Sequence, residues 1–194
     1  MVSSLRVERL HQLILPVLLV LFPYALHAEN TSAWRDHSYQ VVKVYDGDTV
    51  TLTDGNIKFK FRIAGEDAPE KHQALGEDST EYLQSLIDGK SVLVEPIGKG
   101  LDMYGRVLGR LYVGPKDVGV LMIQSGMAYF YRPHCTGEAT EREYGYDPVP
   151  YQEAEKVAVK ANLGVWKDKS RELPCTYRKR MKARSSDLVE TLER

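Results

Sequence analysis

From Tyr39 onward the chain alternates apolar and polar positions in short runs: Val42 and Val44, then Val50 and Leu52, then Ile57, Phe59, Phe61 and Ile63. A period of two marks half-buried strands. "TDGN", Thr53 to Asn56, carries the turn chemistry for a hairpin between the second and third runs. Pairing across it sets Val50 and Leu52 on one face with Ile57, Phe59 and Phe61, and that shared face is the predicted core. "SVLVEPI" and "GRVLGRLYVG" read as two further strands and "MAYFY" as a short one. The period becomes helical in three places. These are Ser79 to Asp88, with Asp78 or Ser79 as N-cap and Gly89 as stop; Val118 to Ser125, capped by Asp117; and Tyr151 to Asn162, where Ala154, Val157, Ala158 and Ala161 share one side. Trp166, just beyond, is expected to pack back on the core. Five strands with a helix between the third and fourth is the order of an OB-type barrel. The predicted class is therefore mainly β with helices (α+β), a five-stranded OB-type β-barrel carrying about three α-helices.

The first residues change the picture of the chain's length. Arg6 and Arg9 precede the apolar run "LILPVLLVLFPYALHA", which ends where the chain turns polar at Glu29. A basic start, a short hydrophobic stretch and a small residue at the cut describe a secretory signal over residues 1–28, with an uncleaved anchor as the alternative. Residues 29–37 read as a flexible leader, 38–176 as one domain, and 177–194 as a charged C-terminal tail. Export makes one disulfide the simplest reading of Cys135 and Cys175, against two buried thiols. The expected location is secreted or periplasmic, with no stable membrane association after cleavage. The whole chain of 194 residues carries a net charge of −1, and loss of Arg6, Glu8 and Arg9 with the signal leaves −2. Such a balance does not advertise nucleic acid, so any polyanion site has to be a local arrangement. One local excess is "YRKRMKAR", Tyr177 to Arg184, whose plain reading is a solvated basic face.

Charge also interrupts the strand pattern. "DGDTV" sets Asp46 and Asp48 around Gly47, which by itself suits either a plain turn or a hard-cation site. "RIAGEDAPE" carries Arg62, Glu66, Asp67 and Glu70, and "DMYGR" carries Asp102, Tyr104 and Arg106. With the late "NLGVW" these pieces, in this order over Tyr39 to Lys167, resemble the thermonuclease, or staphylococcal nuclease-like, family. The resemblance implies the five-stranded barrel and Ca²⁺-dependent cleavage of DNA and RNA phosphodiesters with 3′-phosphate products; the chain is expected to act as a monomer. Position by position it implies Asp48 and Asp67 as metal carboxylates, with Asp46 acting through water. Ala68, where the family often has threonine, would serve the metal through its backbone carbonyl. Arg62 and Arg106 correspond to the phosphate-clamping arginines, Glu70 to the general base and Tyr104 to a nucleotide-pocket tyrosine. Tyr131 and Tyr129 are both candidates for the second pocket tyrosine.

These residue types suit the reaction. Attack of water on a phosphodiester raises the charge on the non-bridging oxygens, which guanidinium forks match bidentately, and a carboxylate can orient the water and take its proton. Oxygen-only ligands favour Ca²⁺ or Mg²⁺ over zinc. Simple alternation, however, sets Asp48 and Arg62 on opposite faces of a flat hairpin, so coiling or a bulge has to bring them together. Two other classes compete: a non-catalytic nucleic-acid-binding OB module, which would not need the acid and arginine set, and a zinc enzyme using His37, His72 and His134, which lack an HExxH spacing.

Overall fold

The computed structural model describes residues 37–135 and 144–192; the expected signal 1–28, the leader as far as residue 36, and residues 136–143 lie outside the described residues. The alternating runs form β1 (Ser38–Val44), β2 (Thr49–Thr53) and β3 (Lys58–Ile63). They make an antiparallel meander in which Val50 faces Phe61 and Leu52 faces Phe59. The two-residue β4 (Glu66–Asp67) and helix α1 (Gly76–Ile87) follow, then β5 (Ser91–Leu101) and β6 (Val107–Val113). β1 pairs with β5 and β5 with β6, while β6 runs parallel to β3 with Phe61 opposite Val107 and Arg62 opposite Leu108. That last pairing closes five strands into the expected barrel, removing the open edges a sheet would otherwise expose.

The remaining elements cover the barrel. They are β7 (Lys116–Asp117), α2 (Val118–Gln124), β8 (Tyr129–Phe130), α3 (Val149–Lys160) and α4 (Pro174–Leu192). Val50, Leu52, Phe61, Ile63, Val92, Val94 and Leu111 fill the interior, joined by Leu83 and Ile87 of α1, Met122 and Ile123 of α2, and Tyr151 of α3. Asp117 caps α2 as expected, its Oδ1 accepting from the Val120 N–H at 3.2 Å. Trp166 lies edge-on to Tyr129 with ring centroids 5.4 Å apart. Among the described residues no helix is long and apolar enough to cross a membrane.

Four details depart from the sequence pattern. Ile57 lies in the turn before β3 and is 49% exposed, so it stays outside the core face. In β1 a bulge between Val41 and Lys43 shifts the alternation by one, packing Val41 on the core and leaving Val42 46% exposed. Helix α1 starts at Gly76, three residues before Ser79; its N-cap is Leu75 in the left-handed region (φ 64°), so neither Asp78 nor Ser79 caps it, and Ser79 is buried. The segment expected to be a solvated tail is largely the helix α4. With Pro174 as its first residue and good helix formers after it, uninterrupted by glycine, local propensity favours that helix.

Candidate active site

Tyr45 to Asp48 form a four-residue connection between β1 and β2, with Val44 opposite Val50. The Tyr45 N–H donates to the Thr49 carbonyl at 2.9 Å, and the Asp48 N–H donates to Asp46 Oδ1 at 3.1 Å. Gly47 does not adopt a positive φ, so the plain tight-turn explanation for the glycine fails. Its role is close approach: a Cβ there would lie 2.0 Å from Ser79 Oγ and 2.6 Å from the Ala68 Cβ. The connection is thereby pressed onto α1 and onto the loop after β4. Asp48 precedes β2 and escapes its pleat. Its carbonyl accepts from the Ile63 N–H at 2.8 Å, and its carboxylate meets Arg62. The predicted conflict of faces is resolved here, at the strand end, because Asp48 is not a strand residue.

Arg62 is the hub. Its Nη1 donates to Asp48 Oδ1 at 2.7 Å and its Nη2 to Asp67 Oδ1 at 3.0 Å. Asp67 is aimed by β4, where it pairs with Tyr129 of β8. The chain enters β4 through Gly65 at φ 87°, where a Cβ would fall 2.2 Å from the Tyr151 ring. Tyr151 donates its hydroxyl to Asp117 Oδ2 at 2.6 Å, so α3 and the start of α2 support this turn from behind. On the other side, Arg106 lays Nε and Nη2 on Asp102 Oδ2 at 2.9 and 2.8 Å, and Asp102 Oδ1 accepts the Tyr104 and Arg106 N–H groups. Arg106 Nη1 reaches Thr49 Oγ1 at 3.3 Å, and that hydroxyl donates to Asp48 Oδ1 at 2.7 Å. Arg106, Thr49, Asp48, Arg62 and Asp67 therefore form one connected network.

The other predicted residues stand around it. Glu70 is brought into the network by Arg178 of α4, whose Nη1 donates to Glu70 Oε1 at 2.7 Å and to Asp67 Oδ1 at 3.0 Å; its Nη2 donates to Asp67 Oδ2 at 3.0 Å. Ala68 is buried beside Gly47. Tyr104 is 71% exposed under the Arg106 guanidinium, 5.0 Å from its ring centroid. Tyr131 is at the surface and donates its N–H to the Gly65 carbonyl at 3.0 Å, whereas Tyr129 is buried against Trp166. Arg110, on the same strand as the approach to Arg106, turns elsewhere and pairs with Glu95 and Tyr112. Cys135 and Cys175 are joined in a disulfide.

The electrostatics follow from crowding acids in a buried place. Burial, then the neighbouring Asp48, pushes the Asp46 carboxyl up to about 7. Glu66 is fully buried with neither carboxylate oxygen hydrogen-bonded, and burial followed by Asp48 raises it well above the usual carboxylate range. Burial alone would depress Arg62, but Asp48 and Asp67 outweigh it and hold the guanidinium above its ordinary value. Sequence reasoning did not assign Thr49, Glu66 or Arg178 to the site. Thr49 was legible only as a strand residue, and Arg178 was hidden in a basic run, with Cys175 three residues earlier as its only signal.

Residues 60–168 match the family model described as staphylococcal nuclease homologue. An uncharacterized endonuclease of Haemophilus influenzae is 36% identical over 144 residues, covering 74% of this chain and 74% of its own. A micrococcal nuclease of Shigella flexneri is 31% identical over 162 residues, 79% of this chain and 87% of its own. An uncharacterized endonuclease of Escherichia coli is 36% identical over 124 residues, 57% of this chain and 80% of its own.

Proposed function

The chain belongs to the staphylococcal nuclease family, and from that premise we propose that this nuclease is an exported, Ca²⁺-dependent endonuclease that hydrolyses DNA and RNA phosphodiesters to 3′-phosphate ends. The observation that supports it most is the single network joining Asp48, Arg62, Asp67 and Arg106, drawn from three separate sequence motifs. A binding module has no need for two buried carboxylates held against arginine.

The donor set suits a hard cation. Asp48 and Asp67, with the Ala68 carbonyl, would hold Ca²⁺, and Asp46 would act through water. Among the described residues no three His, Cys, Asp or Glu side chains form a metal-holding group, so two carboxylates and a carbonyl leave the rest of the shell to water. When bound, the ion supplies charge to polarise a non-bridging phosphate oxygen. Arg62 and Arg106 offer forks to the remaining oxygens, already fixed by their carboxylate partners before substrate arrives. Glu70 takes the proton of the attacking water; the new P–O bond forms from that water, the bond to the 5′ oxygen breaks and that oxygen takes a proton from solvent, leaving a 5′ hydroxyl and phosphate on the 3′ side. Tyr104 and Tyr131 line the nucleotide pocket. Residues 1–28 direct the chain to the secreted or periplasmic compartment, where the Cys135–Cys175 disulfide persists.

The test is cleavage of single-stranded DNA and of RNA by the purified mature chain in Ca²⁺ and in EGTA, with analysis of the product ends. Cleavage in Ca²⁺ giving 3′-phosphates is expected. Activity unchanged by EGTA, or 5′-phosphate ends, would overturn the reading. In the same assay Asp48→Asn and Asp67→Asn are expected to lose most of the calcium response while keeping the circular dichroism of the wild type.

A further inference from the structure

Arg178 occupies the place that the proposed chemistry needs. Its fork covers both oxygens of Asp67, with Nη1 on Oδ1 and Nη2 on Oδ2, each at 3.0 Å, and the same Nη1 takes Glu70 Oε1 at 2.7 Å. Asp67 Oδ1 already accepts from Arg62. A guanidinium and a divalent cation on one carboxylate would stand within a few ångströms of each other, a like-charge contact twice as unfavourable as one between two unit charges and stronger near a protein surface than in water. They compete.

The helix bearing Arg178 is positioned to make this contact and also to release it. Cys175 and Arg178 lie at i, i+3 on one face of α4, and the disulfide ties that face to Cys135. Gln73 adds a second tie: its Oε1 accepts from the Glu70 N–H, and its Nε2 donates to the Glu172 carbonyl just before the helix. Arg180 forks onto the Glu172 carboxylate at 2.9 and 2.7 Å. The anchored end therefore aims Arg178 at the site. Its side chain is nonetheless 40% exposed, and Lys179 to Val189 are exposed beyond it, so the guanidinium can turn out to solvent without disturbing a packed core.

We infer that Arg178 is a built-in occupant of the acidic centre, holding Asp67 and Glu70 until a divalent cation displaces it and frees α4 from the site. The inference rests on the assignment of Asp67 to the metal. It places one residue outside the matched segment 60–168 in control of cation loading.

The test uses Ca²⁺ alone, in calorimetric titrations of the full mature chain, wild type, Arg178→Gln and Asp67→Asn, with hydrogen exchange of residues 174–192 followed with and without the ion. Arg178→Gln is expected to bind Ca²⁺ about tenfold more tightly, the size of one charge-assisted contact. In wild type, Ca²⁺ should speed exchange in the first turns of α4; in Arg178→Gln those turns should exchange fast throughout. Equal or weaker binding by Arg178→Gln, with Asp67→Asn still abolishing binding, would overturn the inference and leave the metal assignment standing. Wild-type binding that Asp67→Asn does not change would overturn both.

Discussion

Arg62 spans two acceptors on different carboxylates with the two ends of one planar group, and Arg106 spans Asp102 and Thr49 in the same way. A lysine keeps the charge and loses the span. Each of Arg62→Lys and Arg106→Lys is accordingly expected to cut turnover by about two orders of magnitude or more, as losing a preorganised donor to a developing oxyanion does. If the arginines grip the phosphate mainly in the transition state, as proposed, the Michaelis constant should move much less. Arg110→Lys serves as the control, since Arg110 faces Glu95 and Tyr112 away from the network, and its kinetics should stay near wild type. Steady-state kinetics on one oligonucleotide with all three variants checks this; a silent Arg106→Lys would remove Arg106 from the phosphate clamp. Glu66 poses a different question. Its buried, unbonded carboxyl sits beside the acids it repels, and an unsatisfied buried polar group costs about 1–3 kcal/mol. Glu66→Leu is therefore expected to raise stability in urea unfolding at neutral pH by an amount of that order. A lower midpoint would mean that Glu66 stabilises the network through Arg62.

At the scale of elements, what was legible in the sequence is what repeats with a period. Three meander strands, two later strands and three helices announce themselves through alternation, helical spacing and caps such as Asp117. What was not legible depends on single steric events. The bulge at Val41–Lys43 and the early, uncapped start of α1 at Gly76 leave no periodic trace. Nor does the loop that lifts Asp48 out of the pleat. Its meeting with Arg62 looked forbidden by alternation and is made by the Tyr45–Asp48 loop pressing on α1. Gly47 is where that element is most exposed to test. Ser79 Oγ could rotate away from a new methyl, but the Ala68 Cβ, 2.6 Å away, cannot. Gly47→Ala is thus expected to cost about 1–3 kcal/mol, the usual penalty for overpacking, and to weaken Ca²⁺ binding because Asp48 and Ala68 are pushed apart. Chemical denaturation and calcium titration of the same variant check both parts; an unperturbed variant would mean that the loop has slack the packing does not suggest.

In the whole molecule, a barrel whose strands are close in sequence is joined to a C-terminal helix that belongs to the site but has little of its own surface buried. Four of the site's members, Asp48, Arg62, Asp67 and Glu70, lie within the first half of the chain, and the motifs that carry them could be recognised there. Arg178 arrives from 108 residues beyond Glu70, and a crosslink, the Gln73 hydrogen bond to Glu172 and the arginine forks fix where it lands. Nothing in local propensity encodes that, which is why the basic run looked like solvated surface. The disulfide is then the covalent link on which the arrangement depends. It closes a loop of 40 residues that contains α3, so it restricts the unfolded chain whether or not α4 is docked. In the chain-entropy model this is worth about 4 kcal/mol, or roughly 10 °C in melting temperature for a domain of this size, with real values often lower. Reduction of the purified protein should lower its melting temperature by several degrees, and the barrel's far-ultraviolet circular dichroism should survive at 25 °C, because none of the five barrel strands lies inside the crosslinked loop. Reduction should also loosen the aim of Arg178 and bring calcium affinity toward that of Arg178→Gln. If the reduced protein melts lower but binds calcium as before, Gln73 and the fork alone suffice to hold the helix, and the disulfide serves stability only.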